Sequence, residues 1–178
     1  MNVRRIVTGF DSDGKSTVAV DDFAPRTHDF ANIPGFSNTV AWGTEDLVAP
    51  TGAPADITTT MASVVPGPGG VRFFVVKFPP GKVFESIDHA AAAAEQHEVL
   101  PGLAERFDPD RPGFHSTPTI DFSVVLEGEL WLELEAGDDV QARTGDVIVQ
   151  NGTPHAWHNR TDRPAVIAAV MVGTGRPA

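Results

Sequence analysis

The chain has 178 residues, of which 24 are acidic and 13 are basic, so its formal net charge at pH 7 is -11. An acidic chain without a cluster of Lys and Arg disfavours binding to nucleic acid or anionic membranes, because phosphate groups require concentrated positive charge. The sequence has no Cys, which excludes disulfides, thiolate nucleophiles and iron–sulfur clusters, so that any metal must be held by His, carboxylates or water.

The length and the lack of long apolar runs predict one soluble domain over residues 1–178. A chain of this length can bury a substantial core without dividing into two domains. The N-terminus has no apolar run of signal-peptide length, and no stretch of about 20 apolar residues is present to cross a membrane. We therefore expect a cytoplasmic protein.

The first half of the chain contains short strand-like segments. Residues 4–9 and 16–20 are rich in β-branched residues and flank a turn sequence, which predicts a hairpin. Residues 23–35 are interrupted by Pro and Gly and predict a loop. A short strand is expected at 39–42, no element is predicted for 46–63, and Val71–Phe78 is the strongest strand of this half.

One helix is predicted, within residues 86–107, where helix-forming residues include a run of five alanines. Ser86 is the expected N-cap, and Pro101 with Gly102 is expected to end the helix. Two interpretations remain open for it. The helix either packs on the outside of a sheet or forms a lid over the mouth of a pocket.

The second half reads as a series of short strands separated by turn residues, which is typical of a β-sandwich or barrel. These strands are predicted at residues 114–126, 129–135, 140–143, 146–150, 155–159 and 165–172. Together with the first half, they predict an all-β protein with one helical excursion.

Alternation along residues 114–126 separates a polar face from an apolar face. The polar face carries His115, Thr117, Thr119, Asp121 and Ser123. The apolar face includes Ile120, Phe122, Val124 and Leu126 and is expected to be buried against something. In the later strand, His155 and Trp157 share one face and His158 points the other way. A His beside a large aromatic residue is typical of a pocket wall and suggests a small, partly aromatic ligand.

Two segments of the chain resemble the two sequence motifs of the cupin superfamily. Counting back from Gly128 in the first motif, Asp121 lies at the usual Glu position, Thr117 at the second His position and His115 at the first. The second motif is matched more specifically, by Gly145, Gly152, His155 and Asn159, although Gln150 lies where Pro is usual. The two motifs span about a quarter of the chain.

The resemblance implies a cupin double-stranded β-helix, or jelly-roll barrel, with its core at about residues 71–172 and the N-terminal hairpin and strands of residues 1–70 packed on it. It also implies a homodimer and a divalent metal ion, Fe, Mn or Zn, held by His115, Asp121 and His155. Two His and one carboxylate leave coordination positions open for a substrate or dioxygen. Thr117 replaces the fourth ligand and is a poor metal ligand, so we expect it to orient a water or a substrate.

Two functions fit this pattern. The first is a metal-dependent enzyme that acts on a small organic molecule, either by oxygenation or by decarboxylation, isomerisation or cyclisation. The second is a non-catalytic barrel that binds a small molecule without metal. Asp121 is the predicted catalytic residue and serves as a general base if no metal is present, since burial raises the pKa of a carboxyl group. Thr117, Thr119 and Trp157 are the predicted substrate contacts.

Overall fold

The structure, a computed structural model, describes residues 1–47, 52 and 54–175. It contains one α-helix, α1 (His89–Val99), between two short 3-10 helices, Gly81–Glu85 and Ala104–Arg106. The strands are β1 (Arg4–Phe10), β2 (Ser16–Phe23), β3 (Arg26–Asp29), β4 (Ser37–Thr44), β5 (Val71–Phe78), β6 (Thr119–Glu127), β7 (Glu129–Leu134), β8 (Asp139–Arg143), β9 (Val147–Gln150), β10 (His155–His158) and β11 (Ala165–Gly173).

Two antiparallel sheets form the barrel. The larger has the order β3-β4-β5-β11-β6-β9 and the smaller the order β10-β7-β8. Leu130 of the smaller sheet packs with Ile167 of the larger sheet, and Trp157 joins the same cluster. Because these apolar side chains meet between the sheets, the two sheets face each other. The predicted all-β fold with one helix is confirmed.

The N-terminal hairpin β1–β2 is confirmed as well, and it is attached to the larger sheet by Arg5. The guanidinium of Arg5 pairs with Asp22 and Asp56, donates a hydrogen bond of 3.3 Å to the carbonyl of Ala41, and lies over the ring of Trp42. A single Arg whose side chain is nearly buried therefore joins the hairpin to β4. Part of the stretch 46–63, for which the sequence predicts no element, lies outside the described residues.

The prediction that residues 23–35 form only a loop is wrong, because β3 lies within them. β3 pairs with β4 at the edge of the larger sheet, and the hydroxyl groups of Thr27 and Thr39 are 2.9 Å apart across the pair. A strand of four residues has too little alternation to be recognised from its sequence. Its formation depends on the neighbouring strand rather than on its own residues.

The helix is shorter than predicted and has a different cap. Asp88 is its N-cap, and its carboxylate accepts hydrogen bonds from the backbone N–H groups of Ala90 and Ala91. Ser86 instead ends the preceding 3-10 helix. The helix ends at Val99, with Leu100 as its C-cap, just before Pro101 and Gly102, as expected. Nowhere in the described ranges is there a helix of the length and apolar character needed to cross a membrane.

The alternation of β6 is as predicted, but its apolar face does not pack inside the protein. Phe122 is 50% exposed and Leu126 is 49% exposed, and Ile120 is exposed beside them. The inner side of β6 instead carries the polar residues, including Asp121 and Ser123. The apolar face is therefore not buried within a single chain, because the polar residues face a cavity between the sheets and leave the apolar residues outside.

Candidate functional site

A cavity of about 1130 Å³ lies between the two sheets and α1. Aromatic and aliphatic side chains form most of its wall, including Phe36, Phe74, Phe78, Phe84, Leu100 and Phe107. The polar part of the wall includes Asn38, His115, Asp121, Ser123, Gln150 and His155, and further polar and charged residues such as Lys82, Glu133 and Arg160 also line the cavity. Ala92 and Gln96 of α1 line the same cavity, so the helix covers it rather than packing on an outer face of a sheet. A large apolar cavity with a few converging polar groups is the usual form of a small-molecule site.

His115 and His155 lie side by side in this wall. Their backbones exchange two hydrogen bonds of 3.0 Å, and their ring centroids are 4.5 Å apart. Nδ1 of His115 donates to the carbonyl of Gly113 at 3.0 Å, and Nδ1 of His155 donates to the carbonyl of Thr153 at 2.9 Å. Since Nδ1 carries the proton in both neutral rings, each Nε2 has a free lone pair that can bind a ligand or a metal.

Burial keeps both rings neutral. It lowers the pKa of His115, and it lowers the pKa of His155 to about 4, with a further contribution from the neighbouring His115. The hydrogen bonds to the carbonyls of Gly113 and Thr153 oppose these shifts without overcoming them. An imidazole that stays neutral at all but acidic pH is available as a ligand at physiological pH.

Replacing His155 by glutamine is expected to make the protein less sensitive to acid. The unfolded chain binds a proton on His155 near pH 6.5, whereas the folded chain binds it near pH 4, so acid between these values favours unfolding. The shift corresponds to at most about 3 kcal/mol in the free energy of unfolding. Urea unfolding at pH 7.5 and pH 4.5 measures it, with the exposed His89→Gln as the control. An equal loss of stability in the wild type and His155→Gln on acidification would contradict the account.

Asp121 faces the cavity from β6, the strand next to the edge strand β9 of the larger sheet. Its Oδ1 atom is buried and has no hydrogen-bond partner in the described part of the chain. Burial raises the pKa of its carboxyl group to about 6, and the nearby hydroxyl of Thr119 offsets part of this rise. The carboxyl group is therefore able to gain and lose a proton near neutral pH, which is a property of general acids and bases.

Gln150 is a site residue that sequence reasoning missed. It lies opposite Asp121 in the pairing of β6 with β9 and is 5% exposed. Its Oε1 accepts a hydrogen bond of 3.1 Å from the hydroxyl of Thr153, while its Nε2 is buried without a partner among the described residues. The sequence did carry a signal for it, since Gln150 occupies a position of the second cupin motif where Pro is usual.

The other predicted site residues differ in their placement. Trp157 lies in the cavity wall, with its ring perpendicular to that of His155 at 6.2 Å. Thr117 and Thr119 are buried and do not belong to that wall, and their hydroxyl groups bond to each other at 2.6 Å. The turn at Gly152 covers them, because a Cβ atom there would lie 3.1 Å from the carbonyl oxygen of Thr117. Substrate contact by Thr117 and Thr119 therefore receives no support from this geometry.

The two histidines and Asp121 do not form a single group of metal ligands. Within the residues that the structure covers, no three His, Cys, Asp or Glu side chains are grouped so that they could hold a metal ion. His115 and His155 fit two positions of a metal centre, and Asp121 lines the same cavity without joining them in such a group. Asp is one methylene shorter than the Glu usual at this position, which reduces its reach towards the histidines.

His158 also lines the cavity, but it is bound to a carboxylate rather than to the histidine pair. Its Nε2 lies 2.8 Å from a carboxylate oxygen of Glu133, on the neighbouring strand β7. The last residue of the second motif, Asn159, has a structural role. Its side chain donates to the carbonyl of Arg163 at 2.7 Å and accepts from the backbone N–H of Thr161 at 3.0 Å, which holds the turn before β11.

The fold and the site together define a β-barrel that encloses a small-molecule cavity with a pair of neutral histidines. The Cupin domain family matches residues 105–172. In Aspergillus oryzae, oryzines biosynthesis cluster protein J is 32% identical over 157 residues, which are 88% of this chain and 74% of that relative. The chain belongs to the cupin superfamily.

Two further known proteins are similar to smaller parts of this chain. A cupin-domain-containing oxidoreductase of Hypocrea virens is 43% identical over 57 residues, which are 32% of this chain and 29% of that protein. The solved structure of an RmlC-like cupin family protein from Methanocaldococcus jannaschii, with a double-stranded β-helix fold, has a TM-score of 0.39 and 12% identity. The matched region covers 58% of this chain and 70% of the Methanocaldococcus chain. The chain thus spans less than a third of the length of its oxidoreductase relative.

Proposed function

We propose that the protein is an enzyme that transfers protons on a small, mostly apolar organic molecule, with Asp121 as the general base and acid. The observation that carries this proposal is the buried Oδ1 atom of Asp121, which lacks a partner in the described chain although its residue lines the cavity. A buried acceptor without a partner costs about 1–3 kcal/mol, and a substrate that supplies a hydrogen removes that cost.

The surroundings of Asp121 suit this role. Its raised pKa, about 6, makes proton transfer in both directions accessible near neutral pH. The apolar wall of the cavity, with Phe74 and Phe78 on β5, excludes water and favours an apolar or aromatic substrate. Proton transfer of this kind underlies decarboxylation, isomerisation and cyclisation. The relative named as an oryzines biosynthesis cluster protein supports a substrate among small organic molecules.

Exchange of hydrogen for deuterium tests this proposal without knowledge of the natural substrate. Phenylacetone is a suitable probe, because it is aromatic and has an acidic methylene group beside a carbonyl. We expect the protein to accelerate exchange at this methylene in deuterium oxide, as followed by proton NMR. Binding of the probe without accelerated exchange would contradict the enzyme proposal and favour the alternative, a non-catalytic barrel that binds small molecules.

We propose a divalent metal ion as a second component of the site, held by Nε2 of His115 and Nε2 of His155. Both atoms have free lone pairs, and both rings are oriented by hydrogen bonds to backbone carbonyls. Such a metal supplies Lewis acidity or, with iron, dioxygen chemistry. The cupin-domain relatives named as oxidoreductases favour this component. Two protein ligands bind a metal more weakly than three or four, so partial occupancy is expected.

Metal analysis of protein purified without chelator tests the histidine pair directly. We expect up to about one equivalent of Fe, Mn or Zn per chain in the wild type. His155→Ala is expected to lose it, whereas His158→Ala, which removes a histidine of the same strand that is bound to Glu133, is expected to keep it. Equal metal content in all three proteins, or none in the wild type, would contradict the metal proposal.

We further propose a homodimer formed through the exposed apolar face of β6 and β9. This face consists of the exposed apolar residues Ile120, Phe122, Leu126, Val147 and Val149. The chain has a net charge of -11, so two copies repel each other at most surfaces. An exposed apolar face is where two copies can associate with the least repulsion. Burying the same patch on both copies gives a two-fold interface.

Light scattering after size-exclusion chromatography tests the dimer. Phe122→Lys is expected to give monomers at micromolar concentrations, because it places a charge at the centre of the apolar face on both copies. Val140→Lys is the control, since Val140 is equally exposed but lies on β8 of the other sheet. A monomeric wild type, or a dimer that Phe122→Lys leaves intact, would overturn this proposal.

A further inference from the structure

The unpaired groups of Asp121 and Gln150 lie across from each other on adjacent strands. The two residues are direct partners in the antiparallel pairing of β6 and β9, and both line the cavity. Cβ atoms of such partners are about 4.5–5.5 Å apart, so their side chains reach the same small volume. Oδ1 of Asp121 lacks a donor and Nε2 of Gln150 lacks an acceptor in the described ranges, and the two atoms do not bond to each other.

The amide of Gln150 has a defined orientation. The hydroxyl of Thr153 donates to Oε1 at 3.1 Å, and this bond turns Nε2 away from Thr153. With 5% of its surface exposed, the side chain has little freedom to reach bulk water. A buried N–H donor without an acceptor in the protein is rare, so this group is completed by a water or by a ligand that displaces it.

We infer that the substrate is an enolisable carbonyl compound, whose oxygen accepts a hydrogen bond from Nε2 of Gln150 and whose adjacent C–H group faces Asp121. This inference rests on the proposed function of Asp121 and names the substrate class for it. A phosphate or sulfate group is disfavoured, because its charges would lie beside the carboxylate of Asp121. The apolar wall accommodates the remainder of the molecule.

The step balances without a further reactant. The carboxylate of Asp121 takes the proton from the carbon next to the carbonyl, and the electron pair of the broken C–H bond forms a C=C bond. The former C=O π electrons move to the oxygen, which becomes an enolate oxygen. Gln150 donates its N–H to this oxygen, and the bond strengthens as negative charge develops there. Return of the proton from Asp121 gives the original or an isomeric carbonyl compound.

Gln150→Leu tests the inference by calorimetric titration with phenylacetone and with propylbenzene, which lacks the carbonyl. Loss of one hydrogen bond is expected to weaken phenylacetone binding by about tenfold and to leave propylbenzene binding unchanged. Leu has no unpaired polar group, so the variant is expected to fold. Gln141→Leu is the matched control, because Gln141 lies on β8 and does not line the cavity. It is expected to change neither affinity.

Three results would overturn the inference. These are no binding of phenylacetone to the wild type, equal phenylacetone affinity in the wild type and Gln150→Leu, and an equal loss of affinity for both probes. The proposed function is tested separately by exchange. If Gln150→Leu weakens phenylacetone binding but the wild type does not accelerate deuterium exchange, the proposed role of Asp121 is contradicted and the carbonyl site is supported. If deuterium exchange is as fast in Gln150→Leu as in the wild type, the carbonyl site is contradicted and the proposed role of Asp121 is supported.

Discussion

Replacing Asp121 by asparagine is expected to slow deuterium exchange into phenylacetone by about 10²- to 10⁴-fold, which is the usual contribution of a general base. Asparagine has almost the same shape as aspartate but accepts no proton at any accessible pH. Binding of the probe is expected to remain, because Gln150 holds the carbonyl. The measurement is proton NMR in deuterium oxide, with Asp138→Asn, in the exposed turn after β7, as the matched control.

The same variant is expected to be more stable than the wild type at neutral pH. The folded protein binds the proton of Asp121 up to about pH 6, whereas the unfolded chain releases it near pH 3.8. Stability from this group is therefore fully present at low pH and is lost as the pH rises through 6. The loss is at most about 3 kcal/mol. Asparagine avoids this loss of stability. In urea unfolding, we therefore expect Asp121→Asn to have a higher free energy of unfolding than the wild type at pH 7.5, with a smaller difference at pH 4.5.

A gain in stability together with a loss of exchange would show that Asp121 is retained for chemistry at a cost in folding. The account would be contradicted by a variant that exchanges as fast as the wild type. It would also be contradicted by a stability difference that grows as the pH falls.

Replacing Glu95 by alanine is expected to lower the free energy of unfolding at pH 7 by about 3 kcal/mol. Glu95 of α1 accepts hydrogen bonds of 2.8 Å from the backbone N–H groups of Ala31 and Asn32 and one of 3.0 Å from the amide of Asn32. Its carboxylate also lies 2.8 Å from Nε2 of His28. These contacts join the helix to the loop between β3 and β4, which continues into the cavity wall at Ile33 and Phe36.

The pH dependence of Glu95 has the opposite sign to that of Asp121. Burial opposes ionisation, but the hydrogen bonds from His28, Asn32 and Ala31 overcome it and lower the pKa of Glu95 to about 2. The stability it contributes is present above pH 4.5 and is lost as the pH falls towards 2. Glu98→Ala, an exposed change on the same helix, is the control. If Glu95→Ala lost no more stability than Glu98→Ala, the role of Glu95 in joining the helix to the loop between β3 and β4 would be contradicted.

The fold could be predicted well from the sequence because its signals are local. Turn residues recur between short alternating segments, so the hairpin β1–β2 and the strands from β6 to β11 are visible without tertiary information. The short strand β3 and the helix cap Asp88 cannot be recognised in the same way, because both depend on contacts with neighbouring segments. The outward position of Phe122 is not visible either, since alternation separates two faces without showing which one faces the inside.

The site was predicted in part. The pairing of His115 with His155 follows from the two cupin motifs, because a folded-back sheet brings the ends of the stretch together. Placing Asp121 in the same ligand group relied on the motif alone, and no group of three such side chains is found among the described residues. Thr117 and Thr119 alternate in phase with Asp121, so the sequence places them on the same face of the strand. They nevertheless do not line the cavity, because the turn at Gly152 covers them. Side-chain reach and coverage by a distant turn are tertiary properties.

The central claim is that Asp121 holds a carboxyl group poised for proton transfer. The most direct test is a carbon-13 NMR titration of the aspartate carboxyl groups, with the Asp121 resonance assigned by its absence from Asp121→Asn. The account predicts a pKa of about 6 for this carboxyl group. A pKa at or below the ordinary value of about 3.9 would contradict it, because such a carboxylate would neither be desolvated nor exchange protons efficiently near neutral pH.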